Sequence, residues 1–360
     1  MILQEGQPKY CLQDLAVVPA VISDIDSRTE CNPFTPSGKY PIFCAPMNCV
    51  TDESNYFKWE SHKVQPIIPR TIKYERRLFY LNTSRWVALS QKEFEKLFTN
   101  EEKPYGFDTE YKVCIDTANA HRKSIYASVN KAKKIARENG YSLIVMVGNI
   151  ARPDTYEWIC ENADVDYVRL NIGSGKGCIT ASNTGTYYPI ASLVSECADI
   201  KHEWEEAMDE FHQFPKSLPK IVCDGGIRGY SDIIVALALG ADYVMIGSLF
   251  AAMDESCAEW ETNPMTQERT RLYYGMSTKK AQNLINAALE NPKEDFEPKT
   301  SEGTFKHLTP LGPVHKWLEN FDSYLRSTMS YTDCKDLEDF TSGYVDLVVK
   351  STTTIGSVNA

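Results

Sequence analysis

Several features are scarce or missing in this 360-residue chain, and each shortage closes off a class of function. No run of about 18 consecutive apolar residues occurs, so no membrane-spanning helix is expected. The N-terminus, MILQEGQPKYCLQDL, has no basic stretch followed by an apolar run, so it does not read as a secretory leader. Positive charge is in deficit: 38 Lys and Arg face 49 Asp and Glu, a net charge of −11, whereas a general nucleic-acid binder needs clustered cations to displace counterions. The eleven cysteines include no C-x-x-C pair and no closely spaced Cys/His cluster, which disfavours a disulfide framework or a structural metal. Reduced thiols in a cytoplasmic protein are the expectation.

What is present is a large apolar fraction, 42%, with 24% charged residues, enough to bury a sizeable core. Short apolar runs recur, each ending in Gly, Asn, Asp or Ser and followed by a helical stretch. Strands are expected at Pro41–Met47, Val64–Arg70, Trp86–Ser90, Lys112–Ala118, Leu143–Asn149, Tyr167–Gly173, Lys220–Gly226 and Tyr243–Leu249. Most are continuously apolar, as in parallel strands covered on both sides. Helices are expected at Arg122–Asn139, Ala151–Asn162, Pro189–Ile200 and Tyr230–Leu239. Eight βα units fit a (β/α)8 TIM barrel forming one catalytic domain over 1–360, with a doubly wound open sheet as the alternative. Residues 1–40 would precede the barrel as an N-terminal extension. Residues 254–312, after the eighth strand and rich in Lys, Glu, Thr and Pro, read as a lid-like excursion or as a solvated surface loop. Polar and glycine residues collect at the C-terminal strand ends, the face on which barrel enzymes carry their chemistry.

Two constellations stand out there. In Asn171-Ile-Gly-Ser-Gly-Lys-Gly-Cys-Ile-Thr180, three glycines within five positions let backbone groups approach a ligand or ion, and the same loop presents Cys178. An isolated cysteine is usually a small buried hydrophobe, but a glycine loop with a hydroxyl at Thr180 is also a setting for a nucleophilic thiolate. The second is Val222-Cys-Asp-Gly-Gly-Ile-Arg228, followed one helix later by Tyr243-Val-Met-Ile-Gly-Ser-Leu249. Glycines at two successive strand ends, each leading to a helix, form the usual phosphate cradle of a barrel, and Asp224 beside it can accept hydrogen bonds from ribose hydroxyls. Taken alone, Asp-Gly-Gly is a common turn.

The segments NIGSGKGCIT, VCDGGIRGYSDIIVALALGADYVMIGSLFA, LYYGMSTKKA, SEG at 301–303 and LRSTMSYT resemble, in order, the motifs of the IMP dehydrogenase/GMP reductase family. LQDLAVVPAVISDIDSRTE, PIFCAPMNCVT, IDTANAH and MVGNI extend the resemblance over nearly the whole chain. The family fold is the barrel already expected from periodicity. Family dehydrogenases usually insert regulatory domains after the second strand, and the interval from Arg70 to Lys112 leaves no room for them. Gly275-Met276-Ser277 matches the reductase form, and no Arg-Tyr pair, which the dehydrogenase flap needs, occurs between Met276 and Gly312.

The resemblance therefore implies reductive deamination of GMP, or of a related guanine nucleotide, to IMP and ammonia with NADPH. Cys178 would be the nucleophile forming a covalent thioimidate at purine C2, with Thr180 and Glu302 handling its protons. Asp224 would hold the ribose, and Gly225, Gly226, Gly247, Ser248 and Tyr273 would lie around it and the 5′-phosphate. Gly275, Met276 and Ser277 would meet the base. Arg70, Asp116 and Asn149 fall at dinucleotide-side positions, and Gly173, Gly175 and Cys178 at backbone positions that bind a potassium ion. A homotetramer is implied, with a small-molecule substrate and neither nucleic acid nor membrane as partner.

The chain departs from the reductase pattern at Lys176 (usually serine), Ala181 (usually arginine), Arg70 (usually lysine) and Gly247-Ser248, which is closer to the dehydrogenase form. These departures bear on substrate identity and keep two alternatives in view. One is IMP dehydrogenase, oxidising IMP to XMP with NAD; the other is a catalytically silent purine-nucleotide-binding barrel.

Overall fold

The computed structural model describes residues 8–100, 110–211 and 217–350. Its central feature is a barrel of eight parallel strands: Ile42–Cys44, Gln65–Pro66, Trp86–Leu89, Glu110–Asp116, Ser142–Ile150, Tyr167–Leu170, Lys220–Asp224 and Tyr243–Ile246. Each pairs in parallel with its neighbour, and the first pairs with both the second and the eighth. The remaining gap is spanned at Ile68, whose N–H donates to Trp86 C=O (2.9 Å) and whose C=O accepts from Ala88 N–H (2.8 Å). The expected eight-stranded α/β barrel is thus the observed fold. The observed strands are mostly shorter at their C-terminal ends than the apolar runs suggest, because residues such as Asn171–Gly173 leave the ladder to build loops over the barrel mouth.

The helices follow from local chemistry. Gln91–Phe98 starts in a capping box in which Ser90 Oγ accepts from Glu93 N–H (3.3 Å) and Glu93 returns a carboxylate to Ser90 N–H (2.7 Å). Lys123–Glu138 buries Ile125, Tyr126, Val129, Ala132, Ile135 and Ala136, the three-and-four spacing of one helix face. Pro153 opens Pro153–Asn162, a position where its missing N–H costs nothing. The helix expected over Pro189–Ile200 runs on to Phe211. No helix among the described residues is long and apolar enough to cross a membrane.

The excursion at 254–312 is a folded unit. Trp260–Thr262, Arg269–Tyr274 and Phe305–Leu308 form an antiparallel three-stranded sheet, with the helix Lys279–Ala287 between its last two strands. The chain then enters the helix Val314–Tyr331, where Trp317 stacks on Tyr230 of the helix Tyr230–Ala238 at 4.9 Å. At the other end, Leu15–Val17 of the N-terminal extension pairs antiparallel with Leu347–Val349.

Inside the barrel, alternate residues point to the axis. Phe43, Trp86, Tyr167 and Tyr243 form the lowest layer, with ring centroids 5.1–5.6 Å apart for Phe43–Tyr243, Phe43–Trp86, Trp86–Tyr167 and Tyr167–Tyr243. Ala88, Cys114, Met146, Val222 and Met245 fill the interior above them. Two residues further along their strands stand Asp116, Arg169 and Asp224, so the same alternation that builds the apolar plug delivers charges to the mouth. Phe43 contacts three of the four aromatic strands, and Phe43→Ala is expected to cost about 3–5 kcal/mol of stability, measured by urea unfolding.

Candidate active site

Cys178 follows the sixth barrel strand and is half-buried, whereas most of the other cysteines are buried. Its placement is fixed by backbone. Cys178 N–H donates to Gly175 C=O (2.9 Å), closing a tight loop. The stretch 177–179 then pairs antiparallel with 302–304: Ile179 N–H donates to Glu302 C=O (2.9 Å) and Thr304 N–H to Gly177 C=O (3.0 Å). This ladder carries Glu302, 122 residues away in sequence, to Thr180, whose hydroxyl donates to Glu302 Oε2 at 2.7 Å. A threonine hydroxyl has one proton to give, so toward Cys178 Sγ, 3.2 Å away, it is an acceptor. Thiol, hydroxyl and carboxylate therefore form a directed proton path.

Glycines make the ladder possible. A Cβ on Gly275 would lie 2.6 Å from Gly177 C=O, and one on Gly177 would lie 2.8 Å from the Tyr273 ring. The second contact places the Arg269–Tyr274 strand directly under the thiol loop. Tyr273 is buried, its hydroxyl lies 3.7 Å from Met47 Sδ, and Gly247 sits beside that hydroxyl. Burial pushes its ionisation far up, so the phenol stays a neutral donor.

Asp224 ends the seventh strand, with Gly225 and Gly226 turning the chain after it. Its Oδ2 accepts from Asn149 Nδ2 (2.8 Å), Arg169 Nη2 (2.8 Å) and Arg169 Nε (3.1 Å). Asn171 ties this turn to the thiol loop: its Nδ2 donates to Asp224 C=O (2.5 Å) and its Oδ1 accepts from Ser174 N–H (3.2 Å). Asn171 does this at φ +150°, a backbone region glycine prefers. Beside both loops is a cavity of about 300 Å³ whose lining includes Gly173, Ser174, Gly226, Gln13 and Arg228.

The structure brings Cys178, Thr180, Glu302, Tyr273 and Gly275 to one place, with Gly225 packing on the same loop at Gly175. Ser277 Oγ is near Gly303, and Met276 packs with Leu272, Tyr274 and Ala281. Of the helices after the two glycine turns, the first lies where it was expected and the second is short. The first starts at Tyr230, four residues past Gly226, and Ser248–Ala251 is a single turn, so an anion would rely on loop N–H groups more than on a helix dipole. Arg70 and Asp116 are neighbours, Arg70 Nη1 donating to Asp116 C=O at 3.2 Å. Asn149, expected beside them, donates its amide to Asp224 Oδ2.

Sequence reading missed Arg169, which is 6% exposed and also donates through Nη1 to Asp116 Oδ1 at 2.9 Å. Burial opposes its charge, while Asp224, with Cys114 and Asp116, raises its pKa well above the ordinary value. The signal was available: an arginine inside the otherwise apolar strand run YVRL has no place unless acids meet it. The same burial pushes the neighbouring Cys114 thiol up to about 12, leaving it protonated.

Residues 106–357 match the family model described as the IMP dehydrogenase / GMP reductase domain. Among curated proteins, the chain is 27% identical to a GMP reductase of Oceanobacillus iheyensis, over 91% of each chain. It is 28% identical to a GMP reductase of Helicobacter pylori, over 87% of this chain and 88% of the relative. It is 30% identical to one of Onchocerca volvulus, over 67% of this chain and 60% of the relative. In Gly275→Ala the new methyl meets the backbone of the thiol loop, and a loss of about 1–3 kcal/mol is expected in denaturant unfolding.

Proposed function

Because the chain belongs to the IMP dehydrogenase/GMP reductase family, we propose that it catalyses the NADPH-dependent reductive deamination of GMP, or of a closely related guanine nucleotide, to IMP and ammonia. The observation that carries this reading is the Cys178–Thr180–Glu302 path, which joins a nucleophile to a carboxylate through one hydroxyl. Purine C2 carries an amine that must leave, so the site needs a nucleophile to add there and a carboxylate to manage protons.

In this reading Sγ of Cys178 adds to C2 while its proton passes through Thr180 to Glu302. Glu302 returns a proton to the amine, the C2–N bond breaks, and ammonia departs, leaving C2 joined to sulfur. NADPH, when bound, supplies a hydride to C2. The C2–S bond then breaks and Cys178 leaves as thiolate. The sum is one nucleotide, one NADPH and two protons giving deaminated nucleotide, NADP+ and ammonium. Asp224 Oδ1, free of protein partners among the described residues, would accept from the ribose hydroxyls. Gly226, Gly247, Ser248 and Tyr273 would surround the phosphate, and Met276 and Ser277 the base.

The residues on the dinucleotide side suit a polar ligand, because Arg70 keeps a buried Nε without a partner next to Asp116. The loop carbonyls of Gly173, Gly175 and Cys178 are neutral, hard donors of the kind a potassium ion takes. Among the described residues no group of three or more His, Cys, Asp and Glu is gathered for a metal ion.

The test is NADPH absorbance with GMP, deoxy-GMP and IMP, and the mass of the product. GMP-dependent NADPH oxidation yielding IMP is expected. XMP formed from IMP and NAD would establish the dehydrogenase reading instead, which Gly247-Ser248 favours. Cys178→Ala is expected to reduce turnover to background. Glu302→Gln and Thr180→Val should each lower kcat by about 10²-fold or more, with little change in KM for the nucleotide.

A further inference from the structure

We propose that Arg169 is a positioning residue shared by two ligand sites, one guanidinium holding both the nucleotide-side Asp224 and the dinucleotide-side Asp116, so that each site sets the affinity of the other. This deepens the reading above and rests on it.

Arg169 reaches both acids because of barrel geometry. The register sets it opposite Gly148 on one side and Val222 on the other. A Cβ at Gly148 would lie 2.3 Å from Arg169 Cβ, so only glycine at 148 leaves the arginine room to stand upright in the barrel. From there Nη1 meets Asp116 Oδ1 at 2.9 Å, while Nε and Nη2 meet Asp224 Oδ2 at 3.1 and 2.8 Å. Side-chain exposure is 7% for the arginine and 16% for each acid, so solvent screens these contacts little.

The guanidinium engages one oxygen of each acid. Asp224 Oδ1 and Asp116 Oδ2 have no hydrogen-bond partner among the described residues, yet neither is a buried orphan. Each acid therefore keeps one lone acceptor for a ligand and leans with the other on the same cation. Two carboxylates share one positive charge, and a planar fork holds them in a fixed relation that a lysine ammonium cannot reproduce. Neutralising either acid gives the guanidinium wholly to the other, which draws charge from its free oxygen and weakens it as an acceptor for ribose hydroxyls.

The experiment measures Kd for GMP and for NADP+ separately by calorimetry on the wild type, Asp116→Asn, Asp224→Asn and Arg169→Lys. Asp116→Asn is expected to raise Kd for GMP about threefold or more, and Asp224→Asn to do the same for NADP+. Arg169→Lys should raise both about tenfold. The two acid variants carry the test if Arg169→Lys fails to fold. A cluster that merely holds the barrel together would lower the Tm of the variants and leave these crossed affinities unchanged. If the wild type binds both ligands while both crossed effects stay within twofold, the coupling is overturned and the functional reading stands. If the wild type binds neither, the functional reading falls and the coupling with it.

Discussion

Closing eight parallel strands into a barrel turns every second residue toward a common axis, and the rest of this molecule is arranged around that constraint. Low in the barrel the inward positions are aromatic, at Phe43, Trp86, Tyr167 and Tyr243. One or two steps higher they become Asp116, Arg169 and Asp224. The same periodicity thus serves a dry plug below and an ionic cluster above. Removing the arginine would leave two carboxylates without their cation in a poorly hydrated place, a cost of several kcal/mol, whereas removing one acid leaves a paired arginine and acid. The cation engages one oxygen of each acid and leaves the other oxygen of each without a protein partner among the described residues.

The second organising contact lies outside the barrel. The excursion after the eighth strand folds into its own small sheet, and that sheet delivers Tyr273 on one strand with Gly275 just after it and leads into Glu302–Thr304 just before another. Pairing of 302–304 with 177–179 brings thiol, hydroxyl and carboxylate into line. The excursion is a structural half of the site, and its glycines are there because backbones meet at contact distance.

Much of this was legible in the order of residues. The eight apolar runs located the strands to within a few residues, because parallel strands buried on both faces leave a continuous apolar signature. Glycine loops and their flanking Cys178, Thr180 and Asp224 could be found because their chemistry is local and their spacing short. Arg169 was missed because nothing in its own neighbourhood names Asp116 or Asp224, which lie 53 and 55 residues away. The contact of Asn149 with Asp224, 75 residues away, was likewise not visible in the sequence. The glycine turn at Gly247 was expected to lead to a helix, and Ser248–Ala251 is only a single turn.

The sequence by itself determined the barrel, the loops that carry the thiol and the glycine turns, and the family to which the chain belongs, since these rest on periodicity and on short contiguous motifs. Only the tertiary structure decided which distant residues meet. It joined Glu302 to Thr180 through a backbone ladder and set one guanidinium between two acids. Strand register and barrel closure, rather than any local preference of those residues, choose their partners.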